Sequence, residues 1–452
     1  MSRLPKLEKI SSAEALKSAR ETRGLLVAAG VLNKTAEFFQ KFFPGRMAAV
    51  IADVKTFDVA GRAVLHNLQK YGVKCVQPHI FTDPKFYAAY NYVDELEAEL
   101  KSHDAIPVAV GSGSINDVTK LAAHHMKRQY LSVGTAASMD GYTASGASIT
   151  YKDSKQTFGC PAPLAVLADT EILRRAPREM TASGYADLSA KLTAGADWIV
   201  ADALGIEAID ATAWRMAQAG LRDALGSPQK ISDADADAIG RLTEALMLGG
   251  FSMQWTNTSR PASGAEHQFS HLWDMQHHTH NGKAPSHGFK VGVATVTITA
   301  LYEYLLTQPI DKLDVEACCA KWPRLADFEK QIRTRYASAN FVDKVIEEFR
   351  AKYPTIEVLR ARLTKLRSVW PQLREDIRHQ LIPYIELRSM LQTIGAPVAP
   401  EEIGISRERM RDSFVQAWYI RRRFTVLDVI YQTQLADQCL KHLFGANGPL
   451  RA

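Results

Sequence analysis

The sequence predicts an α/β N-terminal domain built on a mostly parallel sheet, followed by an all-α C-terminal domain. Between Met47 and Asp169, short apolar runs alternate with amphipathic segments, which is the pattern of βαβ units. From about Arg178 to the end, long stretches with the 3.6-residue period of a helix dominate. We therefore divide the chain into an N-terminal domain, residues 1–174, and a C-terminal helical domain, residues 175–452.

The elements of the N-terminal domain follow one another in a regular order. Strands are predicted in "MAAVIAD", "VKCVQPHIF", "AIPVAVGSGS" and "QYLSVGTA". Helices are predicted between them, in "AGRAVLHNLQKYG", "KFYAAYNYVDELEAELKSH" and "INDVTKLAAHHMKR". In the second domain, "DADAIGRLTEALMLGGFSMQW" and "DVEACCAKWPRLADFEKQIRTRYA" predict long helices, and the Pro/Gly-rich "IGAPVAPEEIGI" predicts a connector.

The composition excludes several classes of function. With 452 residues, 46% of them hydrophobic and 23% charged, the chain has the make-up of a globular protein large enough for two domains. Its net charge is only +6, and the basic stretches "RARLTKLRSVWPQLREDIRH" and "WYIRRRF" are interpreted as solvated helix faces. No zinc-finger pattern or aromatic-flanked basic patch indicates nucleic-acid binding. A small anionic substrate fits this mild positive charge better.

The cysteines and the apolar runs indicate the cellular compartment in which the protein is expected. The five cysteines form no CxxC pair, which argues for a reducing compartment and against a thiolate metal site. The first residues are polar, with no apolar signal core, and the longest apolar stretches are too short to span a bilayer. We therefore expect a cytoplasmic protein that does not insert into membranes.

A glycine-rich turn follows the strand predicted in "IPVAVGSGSINDVTK". Gly111, Gly113 and Ser114 stand where a strand runs into a helix, so backbone N–H groups and the helix dipole could bind a phosphate. The turn is not the G-x-G-x-x-G fingerprint, because Asn116 replaces the third glycine, and Lys120 lies too far along for a P-loop. A tight turn without a ligand is the alternative interpretation.

Two further motifs carry carboxylates. Asp140 lies among small residues in "TAASMDGYTASG", where it could bind a ligand hydroxyl or merely cap a loop. In "GYADLSAKLTAGADW", Asp187 and Lys191 are four positions apart, so they share a helix face. A simple i,i+4 salt bridge between these two residues is the alternative to a functional role.

Six histidines occur in the stretch "AEHQFSHLWDMQHHTHNGKAPSHGFKVG". His267 and His271 are four apart on a predicted helix, and His287 follows at a turn marked by Pro285 and Gly288. Two helical histidines and a turn histidine, joined by an aspartate from elsewhere, match an open metal site with nitrogen and oxygen ligands. Surface or satisfied core histidines are the alternative. The histidines assigned to a solvated helix end or loop are His277, His278 and His280.

Five motifs then decide between these alternatives: "VGSGSINDVTK", "TAASMDGYTASG", "GYADLSAKLTAGADW", "SRPASGAEHQFSHLWDM" and "SHGFKVGV". In this order they resemble the bacterial sn-glycerol-1-phosphate dehydrogenases, within the iron-alcohol-dehydrogenase and dehydroquinate-synthase superfamily. The resemblance implies a dehydroquinate-synthase-like fold, with a Rossmann-like N-terminal domain and the active site in the cleft between the domains. It also implies a homodimer.

The resemblance implies a role for each site residue. The metal, which is zinc, nickel or iron in relatives, falls on Asp187, His267 and His287. The cofactor contacts fall on Asp53, Gly111, Gly113, Ser114, Asn116, Asp117, Thr135 and Ser138. The substrate contacts fall on Asp140, Asp187 and His271. The family often has a serine where Ala144 stands here, so the neighbouring Ser145 is the candidate for that cofactor contact. For the substrate phosphate we assign Lys191 and Arg260, because they lie beside the ligand motifs.

The resemblance implies the reduction of dihydroxyacetone phosphate to sn-glycerol 1-phosphate by NADH or NADPH, assisted by one divalent metal ion. His271 is the candidate for proton relay, since a histidine pKa lies near neutrality. The expected partner is thus a small phosphorylated ketose or polyol. The alternatives are a dehydrogenase of another polyol or polyol phosphate, a dehydroquinate-synthase-type lyase, and a non-catalytic protein with a structural metal.

Overall fold

The computed structural model describes residues 4–5, 7–152, 154–337, 339 and 341–451. A six-stranded, fully parallel sheet in the order β1-β8-β5-β4-β2-β3 forms the N-terminal part. The strands of this sheet are β1 Gly24–Ala28, β2 Ala48–Asp53, β3 His79–Phe81, β4 Ile106–Gly111, β5 Leu131–Gly134 and β8 Ala165–Asp169. The central strands are apolar and buried along almost their whole length, as expected of a sheet covered on both faces.

Helices connect these strands and cover both faces of the sheet. The helices of this part are α1 Ser12–Ser18, α2 Thr35–Phe42, α3 Val54–Thr56, α4 Arg62–Lys70, α5 Tyr90–Leu100, α6 Gly113–His125 and α7 Thr170–Leu173. A 3₁₀ turn at Val31–Lys34 precedes α2, and a π-helical turn at Phe57–Gly61 joins α3 to α4. The predicted α/β class of this part is thus confirmed.

Strand β8 was not assigned from the sequence, and two further features of this part were not predicted. Strand β1 lies before the region of regular alternation, where a single short apolar run gives no βαβ spacing to recognise it by. An antiparallel hairpin, β6 Ala147–Tyr151 and β7 Ser154–Phe158, stands apart from the main sheet. Strand β7, "SKQTF", has a single apolar residue, so the hydrophobic pattern of the sequence does not reveal the hairpin.

The rest of the described chain is helical, as the sequence predicts. The longer helices are α8 Arg178–Ala203, α12 Ala236–Thr256, α13 Ala265–Met275, α14 His287–Leu305, α16 Leu325–Arg335, α17 Val342–Lys352, α18 Ile356–Gln380, α19 Tyr384–Thr393 and α20 Arg407–Tyr419. The shorter helices are α9 Ala211–Gln218, α10 Leu221–Leu225, α11 Pro228–Ser232, α15 Val315–Ala320, α21 Val426–Gln432 and α22 Ala436–Phe444. Two 3₁₀ turns occur at Ile310–Lys312 and Pro400–Ile403.

Helices α8 and α14 form the centre of the helical part and pack side by side. Both are buried on nearly every side, which is the property of a helix enclosed by other helices. Helix α1 packs on α12 of the helical part, since Ala15 lies in a cluster with Leu248 and Phe251. The division of the chain at 174/175 into two domains stays a prediction. Within the described residues, no helix combines the length and apolar character needed to cross a membrane.

Candidate active site

Three side chains from three helices of the helical part converge on one point. Asp187 lies on α8, His267 lies on α13, and His287 is the first residue of α14. The Nε2 atoms of both histidines lie 3.7 Å from Asp187 Oδ1, and the three candidate ligand atoms lie within 4.8 Å of one another. Because Asp187 Oδ1 is buried without a hydrogen-bond partner among the described residues, the cluster offers a cation an otherwise unsatisfied carboxylate oxygen.

Two glycines allow the site to assemble. A Cβ at Gly288, next to His287, would collide with the Ser183 carbonyl on α8, so only glycine lets the start of α14 approach α8 this closely. A Cβ at Gly184 would collide with the Ala137 carbonyl, so the loop after β5 also lies directly on α8. His287 is the first residue of α14, whereas the sequence predicted a turn there. The loop after β5 reaches the cluster of Asp187, His267 and His287.

Glu266 orients the ring of His267, a role that was not predicted from the sequence. The fully buried Glu266 carboxylate lies 2.8 Å from His267 Nδ1 and accepts hydrogen bonds from Thr193 Oγ1 at 2.7 Å and Gly264 N at 2.6 Å. Although burial acts to raise it, these hydrogen bonds lower the pKa of Glu266. The ionised carboxylate therefore accepts a hydrogen bond from Nδ1–H, and the Nε2 lone pair is left for a metal. In the sequence, this pair is visible only as a glutamate that directly precedes a histidine.

The charge of Asp187 depends on its surroundings. Burial, reinforced by the negative charge of Asp140, raises the pKa of Asp187 to about 6, although Lys191 and His267 act in the opposite direction. A buried carboxylate with a raised pKa gains most from a nearby positive charge. The ionised form of Asp187 is thus disfavoured when the carboxylate is alone and stabilised when a cation binds to it.

His271 and His287 are held neutral. His271 is half-buried, with its ring centroid 6.2 Å from that of His267 and 6.5 Å from that of His287. Burial lowers the pKa of His271 and His287 well below the usual range, and nearby positive charges add to this, first of all Arg421 for His271 and His267 for His287. Neutral imidazole is the form that binds metals and relays protons.

Asp140 joins the sheet's loop to α8. Its carboxylate accepts a hydrogen bond from Lys191 Nζ at 2.8 Å, and its backbone N–H donates to Asp187 Oδ2 at 3.0 Å. Burial acts to lower the pKa of Lys191, but the charges of Asp140 and Asp187 raise it. The hydrogen-bonded partner of Lys191 is therefore Asp140, 51 positions away, rather than the i,i+4 residue considered from the sequence.

Lys120 holds the loop that carries Asp140. Its buried ammonium donates to the carbonyls of Gly141 at 3.0 Å, Ala144 at 2.8 Å and Gly146 at 3.0 Å. These three bonds use all three donors of the ammonium group. The sequence offered Lys120 only as a candidate P-loop lysine, and this structural role was not predicted.

The predicted cofactor residues gather at one edge of the sheet. Gly111 ends β4, Gly113 begins α6, and the Ser112 side chain makes no capping hydrogen bond, so N–H groups in the first turn are open to a ligand. Thr135 lies beside the turn, with its N–H donating to Gly111 O at 3.1 Å. Asp53 ends the neighbouring strand β2 and caps α3, accepting from Thr56 N at 2.9 Å.

Other predicted cofactor residues are engaged within the domain. Asn116 Oδ1 accepts hydrogen bonds from Tyr130 and Ser132, each at 3.1 Å. Asp117 accepts from Ser148 N at 3.2 Å. These side chains hold α6 against its neighbours, and the open backbone groups at the start of α6 are left as the ligand-facing atoms.

Two more predicted residues also have internal partners. The Ser138 carbonyl accepts from Ser183 Oγ at 3.3 Å, which ties the loop to α8. Ser145 Oγ donates to Glu21 Oε2 at 2.9 Å. The substitution of Ala144 for the family's usual serine is therefore not offset by a free hydroxyl at the next position.

Two side chains lie in surroundings unlike those expected. Arg260 is buried and donates to the carbonyls of Phe424 at 3.0 Å and Asp197 at 2.8 Å, so its guanidinium is occupied inside the helical part. His278 was assigned to a solvated segment, and that prediction is wrong. It is buried, with Nε2 lying 2.6 Å from the Ile403 carbonyl and Nδ1 lying 2.8 Å from Arg409.

Comparisons with known proteins identify the family of this chain. Residues 26–177 match the family model described as iron-containing alcohol dehydrogenase. A protein of Bacillus velezensis named glycerol-1-phosphate dehydrogenase, with NAD(P)+ in its name, is 30% identical over 92% of this chain and 93% of its own. A protein of the same name from Geobacillus stearothermophilus is 30% identical over 84% and 85%. A nicotinamide dinucleotide and a divalent metal fit this family, and Asp187, His267 and His287 form a group that could hold a metal ion.

The fold has solved relatives as well. The crystal structure of glycerol dehydrogenase from Schizosaccharomyces pombe superposes with a TM-score of 0.59 over 97% of this chain and 93% of that chain, at 15% identity. A probable glycerol dehydrogenase from Sinorhizobium meliloti superposes with a TM-score of 0.58 over 93% and 98%, at 14% identity. At such low identity these structures establish the fold alone. The relatives at 30% identity establish more: this chain belongs to the glycerol-1-phosphate dehydrogenase family of NAD(P)-dependent oxidoreductases.

Proposed function

We propose that the protein interconverts dihydroxyacetone phosphate and sn-glycerol 1-phosphate, with NADH or NADPH as the hydride donor in the reducing direction. The observation that carries the proposal is the unsatisfied Asp187 oxygen between two histidine Nε2 atoms, joined through Asp140 to the loop beside the glycine turn. An open three-ligand site next to a dinucleotide turn suits a dehydrogenase better than a structural metal, which four ligands usually enclose.

We assign the metal ligands to Asp187, His267 and His287, and the ion is zinc, nickel or iron. When bound, such an ion supplies Lewis acidity at the substrate carbonyl, and the nicotinamide supplies the hydride. The role of the surrounding protein is to hold these ligands in fixed positions and orientations. Glu266 fixes the His267 ring through Nδ1, and Asp140 fixes Asp187 through its backbone N–H.

The substrate groups would meet Asp140 and His271. Asp140, which accepts a hydrogen bond from Lys191, can also accept one from a substrate hydroxyl. His271 lies beside both histidine ligands, and burial keeps its ring neutral. A neutral imidazole can donate its N–H proton to the oxygen that was the carbonyl and accept another from water at its second nitrogen. One proton and one hydride then balance the reduction.

The dinucleotide would bind at the C-terminal edge of the sheet. The open N–H groups at Gly113 and Ser114 suit the pyrophosphate, since a helix N-terminus favours an anion. Asp53, at the end of β2, suits the adenosine ribose. Thr135 follows β5, on the other side of β4, and lies beside the glycine turn. Asn116 and Asp117 would act indirectly, by holding α6 in place. We also propose that the protein is a homodimer and that it lies in the cytoplasm. The five free cysteines suit the reducing conditions of that compartment.

The test is an assay of NADH and NADPH oxidation with dihydroxyacetone phosphate, after chelation and reloading with zinc, nickel or iron. We expect metal-dependent oxidation and a product that is the sn-1 rather than the sn-3 enantiomer. A lyase that recycles its own NAD would consume no NADH overall, so stoichiometric oxidation excludes that alternative. Absence of oxidation with each of the three metals would contradict the proposal.

A further inference from the structure

Helix α13, which carries His267, begins without a side chain of its own to cap it. Its N-cap residue is Gly264, and no side-chain hydrogen bond caps the helix from that position. The first N–H groups of a helix have no partner within the helix, and a buried N–H group left unpaired costs free energy. Ala265, the first residue of α13, is fully buried. Its N–H group therefore needs a partner from elsewhere in the fold.

Asp197 of α8 supplies that partner. Its Oδ2 atom accepts a hydrogen bond from Ala265 N at 2.7 Å. A Cβ at Gly264 would lie 2.5 Å from this oxygen and 2.8 Å from Ala194 Cα, so glycine allows the start of α13 to approach α8 this closely. A carboxylate suits this place because the helix dipole is positive at the N-terminus. Asp197 thus caps, from α8, the helix that carries a histidine of the site.

The other oxygen of Asp197 binds two more elements. Oδ1 accepts from the hydroxyl of Tyr302 on α14 at 2.6 Å and from Val426 N, at the start of α21, at 2.7 Å. Helix α14 is the one that begins with His287. Asp197 itself belongs to α8, the helix that carries Asp187. One carboxylate therefore joins the three helices that carry the candidate metal ligands.

The carboxylate of Asp197 is closed to solvent. Asp197 and Tyr302 are both fully buried, so water cannot replace a hydrogen bond that is lost there. Arg260 strengthens the same junction, since it donates to the backbone carbonyl of Asp197 at 2.8 Å and to that of Phe424 at 3.0 Å. The segment that enters α21 is thus held to α8 by Arg260 as well as by the bond from Val426 N.

We propose that Asp197 is a positioning residue for the metal site. By joining α8, α13 and α14, it holds Asp187, His267 and His287 at the separations that one ion requires. The inference rests on the proposed function, because it takes these three residues as the metal ligands. Ala265 comes two positions before His267, so a shift of the capped end of α13 moves that ligand. Asp197 acts on the ligands through the helices that carry them.

Asp197→Asn tests the carboxylate, with Asp428→Asn as its matched control. Each oxygen of Asp197 accepts from a backbone N–H group, so the amide NH₂ of asparagine meets a donor whichever way it is turned. Asp428 is also buried, and its two oxygens accept from Trp418 Nε1 at 2.8 Å and Thr425 N at 2.9 Å. It is paired with Lys352 at 3.1 Å as well, so the control loses at least as much. Asp428 caps α21, which carries no candidate ligand.

Tyr302→Phe removes only the bond to α14, and Tyr185→Phe is its matched control. Both tyrosines are fully buried on ligand-carrying helices, and both hydroxyls donate at 2.6 Å. The hydroxyl of Tyr185, however, binds the carbonyl of Leu225 in α10, which carries no candidate ligand. Since a single hydroxyl is lost, we expect the fold to persist. This variant decides the question alone if Asp197→Asn fails to fold.

The measurement is a zinc titration of the chelated protein, with thermal melting of each variant. We expect the affinity for zinc to fall about 10- to 100-fold in Asp197→Asn, as for other residues that support metal ligands. Tyr302→Phe should lower it in the same direction but by less. Asp428→Asn and Tyr185→Phe should melt at lower temperature and keep the affinity of the wild type. Zinc affinities in Asp197→Asn and Tyr302→Phe that equal those of their controls would overturn the inference.

The titration needs no substrate, so it separates this inference from the proposed reaction. If the wild type binds zinc but does not reduce dihydroxyacetone phosphate, the proposed reaction fails and the variants still test Asp197. If the wild type binds no zinc, nickel or iron after chelation, the positioning role of Asp197 is overturned, because there is no metal site to support.

Discussion

The Glu266 carboxylate lies 2.8 Å from Nδ1 of His267, while Nε2 of the same ring lies 3.7 Å from Asp187 Oδ1. The two nitrogens of one imidazole thus face a buried hydrogen-bond acceptor on one side and the candidate metal position on the other. Because Glu266 is fully buried and held by two further donors, the orientation of His267 is fixed before any ion arrives.

The first prediction concerns this orientation. Glu266→Gln keeps the shape of the side chain but removes its charge, so the amide accepts from Nδ1 less strongly and the ring becomes a weaker ligand. We expect metal affinity to fall about 10- to 100-fold, as for other partners of metal-bound histidines. Titration of the chelated protein with zinc measures this directly. An affinity equal to that of the wild type would mean that Glu266 serves only packing.

The second prediction concerns the ligands themselves. Replacement of Asp187, His267 or His287 by alanine should empty the site and abolish turnover, because two remaining ligands hold an ion poorly. The fold should persist, since the core around α8 and α14 is apolar. Elemental analysis after dialysis gives the metal content. Full occupancy in any one variant removes that residue from the ligand set.

His278→Ala is the control for these variants. We expect it to keep both the metal and the activity, but to be destabilised by about 1–3 kcal/mol, because it leaves buried hydrogen-bonding groups unsatisfied. Its contacts with Ile403 and Arg409 explain why a histidine of this cluster belongs to the structure rather than to the site. Loss of metal in this variant would mean that the ligands are wrongly chosen.

The sequence predicted the two-part fold and the residues that converge, but not the contacts that support them. Hydrophobic periodicity reveals a buried parallel strand such as β4 and a helix face such as that of His267 and His271. The role of Lys120 depends on partners at distant positions, and the role of Glu266 depends on the orientation of the neighbouring His267 ring. No local sequence pattern encodes either feature. Arg260 shows the opposite kind of error. It is close to the ligand motif in sequence, but its side chain binds backbone carbonyls instead of lying in the cleft.

The third prediction concerns the loop that carries Asp140. Lys120→Met leaves three carbonyls without their ammonium donor, so the loop should loosen and Asp140 should lose its alignment with Lys191. We expect kcat/KM to fall by at least about 10-fold and the protein to lose a few kcal/mol of stability, since each unsatisfied buried group costs about 1–3 kcal/mol. Kinetics and chemical denaturation measure both effects. Wild-type kinetics in a destabilised protein would show that Lys120 supports the fold alone.

The last prediction concerns cofactor choice. If Asp53 binds the adenosine ribose, its carboxylate accepts hydrogen bonds from the 2′-hydroxyl of NADH and repels the 2′-phosphate of NADPH. The wild type should therefore prefer NADH. Asp53→Asn is a sharper variant than Asp53→Gly, because Asp53 also caps α3 through Thr56 N and asparagine retains a capping oxygen. We expect Asp53→Asn to narrow the preference with little effect on metal content.

Kinetics with both cofactors, on the wild type and on Asp53→Asn, decide this point. Lys55, exposed two positions further on, could approach a 2′-phosphate and offset the repulsion, so Lys55→Gln is the companion variant. It should weaken the use of NADPH and leave the use of NADH unchanged, because its charge meets no partner on an unphosphorylated ribose. Equal use of the two cofactors by the wild type, or the same ratio in Asp53→Asn, would show that the ribose binds elsewhere along the edge of the sheet.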